Sequence, residues 1–405
     1  MIHVCEMVTE LAPAGAERMV VELATRLDRS RVCVRVAALR GGAVADRLRA
    51  AGVEVFVLGV AGKWDVWKIR SLAAWLRRGR VDILHTHLFH ADLAGRAAAA
   101  LAGVRRVVHS VHVAERRFVP WRRVYGGLFL RGGPVVCVSE SVRAHHIRWS
   151  GVAAGRHVTI ENGIDVAAYA RDASRGAAFR RRLRVGDEDR LAVWAGRLCD
   201  QKGLDVLLRA LPRVSRTSRP RRPDVEGGFP SSCDLAHGTH NAGGTPASRL
   251  VVAIAGQGPW RGMVEEFVRA QPADSPVRVE FLGFVDDMAA LYSAGDFLVM
   301  PSRWEGFGLS AVEAMAAGLP VIATDVEGLR DVMGAGRGRD TLATPGLVIP
   351  PENPAALADA MVRMSHDDAL RHHMSLVARA RAEAFPVDRM IAAHEALYFR
   401  LMGDA

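Results

Sequence analysis

Apolar runs of strand length and amphipathic stretches of helix length alternate along nearly the whole 405-residue chain. The pattern predicts strand 2–7, helix 16–28, strand 31–38, helix 43–51, strand 53–58 and helix 66–78. It continues with strand 81–85, helix 91–102, strand 106–111, a helical region 119–130, strand 135–138 and helix 140–149. Asn162-Gly163 is a turn signal that begins a connection. A second alternating series then runs from Leu191 to near Ile349. Two serial α/β series predict two doubly wound domains facing one another, 1–165 and 166–384. One segment breaks the alternation. Residues 215–248 carry Pro220, Pro223, Pro230, Pro246 and five glycines between helix 204–214 and strand 250–255. A connection so long and so poor in apolar residues reads as a disordered insertion.

Within the second series, Glu305 to Asp325 reads EGFGLSAVEAMAAGLPVIATD. From Gly306 to Thr324 the one formally charged residue is Glu313. An isolated carboxylate in so apolar a stretch costs several kcal/mol unless a hydrogen-bond network or a ligand partners it. Strand 296–300 ends at Pro301, helix 310–317 stops at Gly318 and Pro320, and the next strand spans 321–323. The two strands should be parallel with a right-handed crossover. Glu305 then lies beyond a strand's carboxyl end, where open α/β sheets bind ligands. Glu313 sits about one turn into the helix, behind Gly306, Phe307 and Gly308. Those residues leave room for an anion at the helix N-terminus. The plain alternative is one buried structural glutamate and one solvated loop glutamate.

Composition narrows the class. Half the residues are hydrophobic, which excludes a globally disordered chain. No apolar run reaches the roughly 18 residues of a membrane span. The first strand starts at Ile2, leaving no room for a cleaved signal peptide. Cys5, Cys33, Cys137, Cys199 and Cys233 are scattered, so reduced core thiols and a cytoplasmic location are expected. The net charge of +10 suggests an anionic partner, but it is spread along the chain, and no nucleic-acid partner is expected.

Positive charge falls at a second strand-to-helix turn. Strand 191–195 is followed by Gly196-Arg197-Leu198 and Gln201-Lys202-Gly203. An arginine grips phosphate oxygens bidentately and a lysine adds a compact charge, which suits a diphosphate; solvated surface cations are the alternative. Gly256-Gln257-Gly258 is a weak nucleotide signal. Asp187-Glu188-Asp189 resembles a D-x-D metal motif but precedes a strand in a charged turn. His85 and His87 share one face at a strand end, yet no third metal ligand is evident, so lining or structural histidines are expected.

The motifs GRLCDQKG, AGQGP, FLGFV and EGFGLSAVEAMAAGLPVIATD, in this order, resemble the family 4 retaining glycosyltransferases of the GT-B fold. PAGAERMVVELA, VDILHTHLFHADLAGR, SVHV, CVSES and ENGID agree in the first half, and FPVDRMIAAHEALY resembles the family's closing helix. The likeness spans nearly everything outside 215–248. It implies two Rossmann-like domains with a donor cleft between them, the first completed by a crossover helix at about 385–405. Arg197 and Lys202 would neutralise a nucleotide diphosphate whose charge grows in the transition state. Gly306, Phe307, Gly308 and Leu309 would bind phosphate and sugar through backbone. Glu313 would hold the ribose hydroxyls, Glu305 would face the donor sugar, and the base would rest near Gly283 and Phe284. Gly15 would approach phosphate or acceptor, and His112 matches the family's active-site histidine. The implied reaction is sugar transfer with retention by front-face attack, without a metal or other cofactor.

Two departures from the family pattern stand out. The first loop reads Ala14-Gly15 where many relatives carry two glycines. Glu327-Gly328-Leu329-Arg330-Asp331 replaces a Gly-Gly-x-x-Glu pattern, which weakens any role for Asp331. The resemblance implies a nucleotide-sugar donor and a hydroxyl acceptor, lipid-linked or saccharide. Arg116 to Arg123 mixes cations with aromatics and suggests peripheral contact with an anionic cytoplasmic membrane face, a basic surface helix being the alternative. Rival functions are a GT-B sugar-nucleotide epimerase and a non-catalytic sugar-nucleotide-binding scaffold.

Overall fold

The structure, a computed structural model, describes residues 1–60, 65, 67–114, 126, 130–217, 249–273, 275–334 and 343–403. Most of the 215–248 insertion, the whole basic-aromatic stretch 116–123, and Cys233 lie outside the described residues. Seven parallel strands form the first sheet: β1 (Ile2–Glu10), β2 (Val32–Arg40), β3 (Glu54–Val57), β4 (Ile83–His87), β5 (Arg106–Val111), β6 (Val135–Cys137) and β7 (His157–Thr159). Their order is β3-β2-β1-β4-β5-β6-β7. Six more build the second sheet: β8 (Arg190–Ala195), β9 (Leu250–Ala255), β10 (Val277–Gly283), β11 (Phe297–Met300), β12 (Val321–Thr324) and β13 (Gly346–Ile349). These run β10-β9-β8-β11-β12-β13.

The central strands are apolar almost throughout because helices cover both faces of a parallel sheet. Strand order reverses between β1 and β4 in one sheet and between β8 and β11 in the other. Those two crevices are where a doubly wound fold receives ligands.

Helix Gly15–Arg26 follows β1 and buries Met19, Val20 and Leu23 against the sheet. The last helix, Val387–Gly403, crosses back to the first domain, where Met390, Leu397 and Tyr398 pack with Ile2, Val4 and Ile83. Between the domains one apolar core runs unbroken, from Val135 and Cys137 through Phe307 and Leu329 to Leu298 and Met315.

The predicted elements differ mainly at their ends. The first strand continues to Glu10, and β4 runs to His87 rather than stopping at residue 85. Parallel neighbours extend each strand: Val8 still pairs with Ala38, and His87 pairs with Ser110. Cys5, Cys33, Cys137 and Cys199 are free thiols. Among the described residues no helix is long and apolar enough to cross a membrane.

Candidate functional site

The two charge-bearing turns of the second domain meet at its switch point. Lys202 ends a short 3-10 turn, Asp200–Lys202, after β8, and Glu305 lies in the loop after β11. The Lys202 ammonium donates to Glu305 Oε1 at 2.5 Å, and Ser302 Oγ donates to the same oxygen at 2.8 Å. Arg303, which sequence reasoning passed over, sews the turns together. Its guanidinium donates to both carboxylate oxygens of Asp205 at 2.8 Å and to the Asp200 carbonyl at 2.7 Å. Its own N–H donates to the Gln201 carbonyl at 2.8 Å. Arg197, in the same turn, remains exposed.

Loop 306–308 explains its glycines by contact. A Cβ on Gly306 would lie 1.7 Å from the carbonyl oxygen of His112, so nothing larger lets the loop reach the first domain. Gly308 caps helix Leu309–Ala316 at φ 93°, a left-handed conformation that strains any residue with a Cβ. Phe307 is buried edge-on against Phe385, with ring centroids 5.2 Å apart, and anchors the loop through its side chain. Leu309 reaches Gly15, where an added Cβ would sit an ordinary 3.6 Å away.

Glu313 has a protein partner that the local sequence did not reveal. Arg18 of helix Gly15–Arg26 donates to Glu313 Oε1, and the Tyr292 hydroxyl donates to Oε2 at 3.2 Å. Burial pushes the Glu313 carboxyl up, whereas the carboxylate holds Arg18 charged. These directions oppose each other, and the guanidinium, protonated at any accessible pH, decides the matter. The pair is ionic. Arg18 also lies over the Tyr169 ring, 5.5 Å from its centroid. Nearby, Asp331 gains a role the sequence argued against: it accepts from the N–H (2.7 Å) and Oγ (2.8 Å) of Ser141. Both contacts tie the second domain to the first.

The first domain's switch point is buried. Register places Glu6 of β1 opposite His85 of β4. Glu6 Oε2 lies 2.7 Å from His87 Nε2, and Glu6 Oε1 accepts from the Tyr398 hydroxyl at 2.7 Å. His87 Nδ1 in turn lies 2.8 Å from His112 Nε2. The third partner missing from the His85/His87 pair is thus Glu6, whose ligand-type atoms fall within 4.8 Å of theirs. Glu6 and His87 bond to each other, while His85 bonds to the Tyr398 and Ser110 hydroxyls and lies 3.2 Å from Glu6 Oε2. Burial pushes His87 down to about 4 and His112 well below the ordinary imidazole value. For Glu6, burial raises the carboxyl but the His85 and His87 rings outweigh it and hold it well below the usual range.

Glu17, also passed over, is buried in the first turn of helix Gly15–Arg26. Burial lifts its carboxyl to about 7, against a weaker downward pull from Arg197 of the other domain. Gly283 adopts a left-handed φ of 64°, and Phe284 beside it is exposed, some distance in sequence from the charged turns. Asp187 and Glu188 are exposed, while Asp189 accepts from the N–H groups of Gly186 and Arg249, both at 2.9 Å. The D-x-D match is a structural turn.

Comparison with known proteins agrees with this arrangement. Residues 13–168 match the family model described as Glycosyltransferase Family 4, and residues 242–367 match Glycosyl transferases group 1. An uncharacterized glycosyltransferase of Methanocaldococcus jannaschii is 31% identical over 198 residues, 48% of this chain and 41% of that protein. The phosphatidyl-myo-inositol mannosyltransferase of Mycolicibacterium smegmatis is 30% identical over 320 residues, 77% of this chain and 68% of that protein. Among solved structures, Anabaena Alr3699/HepE in complex with UDP and glucose superposes with a TM-score of 0.77 at 21% identity, covering 98% of this chain and 99% of that one. Two parallel α/β domains in this arrangement are the GT-B fold.

Proposed function

The chain belongs to glycosyltransferase family 4, and from that premise we propose that it moves a sugar from a nucleotide diphosphate to a hydroxyl acceptor with retained configuration. The observation that carries this reading is the Lys202–Glu305 pair beside exposed Arg197 at the β8/β11 switch point. A preformed ion pair can exchange partners: the ammonium turns to a diphosphate while the carboxylate accepts from sugar hydroxyls. Arg197 and Lys202 then stabilise charge growing on the leaving group, the term that contributes most to many enzymes. Backbone N–H groups from Gly306 to Leu309 take phosphate oxygens at the helix N-terminus. Glu313 accepts from ribose hydroxyls, and Phe284 offers an exposed face to the base.

In the proposed reaction the bond from the anomeric carbon to the diphosphate oxygen breaks, its electron pair leaving with phosphate. The acceptor oxygen bonds to the same face of that carbon, and its proton passes to the departing phosphate. Protein cations supply the positive charge, so the reading includes no metal. The names of the relatives guide the first trials: UDP-sugars as donors and inositol-bearing polyols as acceptors.

Thermal shift with UDP-, GDP- and ADP-sugars should raise the melting temperature for one donor class by mass action. With acceptor added, nucleoside diphosphate should be released, the product should keep the donor's anomeric configuration, and EDTA should leave turnover unchanged. Melting unmoved by every donor would sink the reading, and turnover of the donor without acceptor would favour an epimerase.

A further inference from the structure

Glu6, His87 and His112 lie in a hydrogen-bonded row that leads from the buried centre of the first domain to the seam between domains. We propose that Glu6 and His87 fix the proton on His112, so that His112 presents Nδ1 as a bare acceptor to a hydroxyl bound in the cleft. They are positioning residues for the cleft histidine. The inference rests on the glycosyl-transfer reading only for the identity of that hydroxyl, a sugar hydroxyl of the donor.

An ionised carboxylate only accepts, so His87 must bring an N–H on Nε2 to Glu6 across 2.7 Å. A neutral imidazole carries one N–H, which leaves His87 Nδ1 bare. That atom lies 2.8 Å from His112 Nε2, and a hydrogen bond between two ring nitrogens needs one proton. The proton is therefore on His112 Nε2, and His112 Nδ1 has none. Nδ1 is shielded from solvent and has no hydrogen-bond partner among the described residues, an unusual state for a buried polar atom and one that calls for a ligand. It belongs to the residue whose backbone carbonyl lies against Gly306, next to Glu305.

The other branch is consistent with the same origin. The Tyr398 hydroxyl donates to Glu6 at 2.7 Å, so its oxygen accepts from His85 Nδ1 at 2.6 Å. His85 Nε2 faces Ser110 Oγ at 2.8 Å, and His85 Nδ1 also lies 3.2 Å from Glu6 Oε2. Neutral rings at His87 and His112 are favoured because burial disfavours their charged forms and because further imidazoles crowd them. Asp92, the other buried carboxylate nearby, is engaged by Arg96 at 2.8 Å and by Thr86. Glu6 is left as the negative end of this row. A protonated Glu6 would reverse the polarity of every bond and put a proton on His112 Nδ1.

The test reads the ring protons directly. In protein labelled with ¹⁵N-histidine, at neutral pH and without ligand, the His112 signals are those lost in His112→Gln. An unprotonated Nδ1 and a protonated Nε2 are expected; a proton on Nδ1 overturns the proposal. Glu6→Gln can turn an amide N–H toward His87 and reverse the row, as a wrong tautomer does in a catalytic triad. The expected result is a proton on His112 Nδ1 and kcat reduced at least tenfold, with donor KM raised as well because the same acceptor holds the bound hydroxyl. Glu6→Asp, still acceptor-only, should keep the wild-type tautomer. Wild-type kcat and an unmoved tautomer in Glu6→Gln would overturn the positioning role. Should no nucleotide sugar be turned over at all, the glycosyl-transfer reading fails, while the wild-type ring spectrum still decides the tautomer.

Discussion

In the first sheet the crevice between β1 and β4 is filled by buried Glu6, His85 and His87, whereas in the second the one between β8 and β11 carries the Lys202–Glu305 pair, with Glu305 buried and Arg197 exposed. Both sit where strand order reverses. One is a closed network whose protons are fixed by a single carboxylate. The other holds the Lys202–Glu305 ion pair in the same turn region as exposed Arg197. Arg18 and Glu313 join the two across the seam, pairing a first-domain cation with the second domain's buried carboxylate. The difference suggests a division of labour, with fixed hydrogen-bond polarity on one wall and exchangeable charge on the other. Donor ribose would have to displace Arg18 from Glu313, so donor binding and domain contact compete for one carboxylate.

The largest expected effect tests the exchangeable side. Lys202→Ala should lower turnover about 10²–10³-fold, comparable to removing one transition-state hydrogen-bond donor. The Lys202→Ala/Glu305→Ala double variant should fall little further if the two act as a unit. Turnover near wild type in Lys202→Ala would break the comparison at its stronger end. Next comes the link. Arg18→Ala leaves a buried Glu313 carboxylate without its cation, a loss of about 3 kcal/mol in urea unfolding, reduced somewhat because Arg18 is partly exposed. Adding Glu313→Gln should recover most of that stability, since it removes the stranded charge. No recovery would mean that the pair is not what holds the seam.

Glu17 sharpens the seam's electrostatics through pH. Its folded value, about 7, is above its unfolded one, so the native state binds the extra proton between the two. Stability from this group is full below the unfolded pKa and is lost as pH rises toward and through 7. Glu17→Gln removes that falling limb. It should be more stable than wild type at pH 8 relative to pH 5, on the order of 2 kcal/mol, by paired melts at the two pH values. The smallest effect belongs to Ser141→Ala, which loses one hydrogen bond to Asp331 and should cost about 1 kcal/mol.

Much of this was legible in one dimension. Apolar period and turn residues predicted the alternating elements, and placed Glu305 in a loop and Glu313 in the helix that follows. Arg197 and Lys202 drew attention because an arginine and a lysine at a strand-to-helix turn suit a diphosphate, solvated cations being the alternative. Glu6 was not. It stands alone in an apolar strand, and its three partners come from residues 85, 87 and 398, brought together by parallel register and a returning helix. Arg303 was missed because its carboxylate partners lie far away in sequence. Asp331 was discounted from a departed motif, yet its partner Ser141 sits in the other domain.

The sequence by itself determined the elements, their serial order and the residue types at each strand end, because period and turn chemistry are local. Tertiary structure decided who partners whom. Arg18 on Glu313 and His87 between Glu6 and His112 are meetings of residues separated by tens to hundreds of positions. Burial makes those meetings consequential, since a charge or a ring proton removed from water must be answered by whichever group the fold has placed beside it.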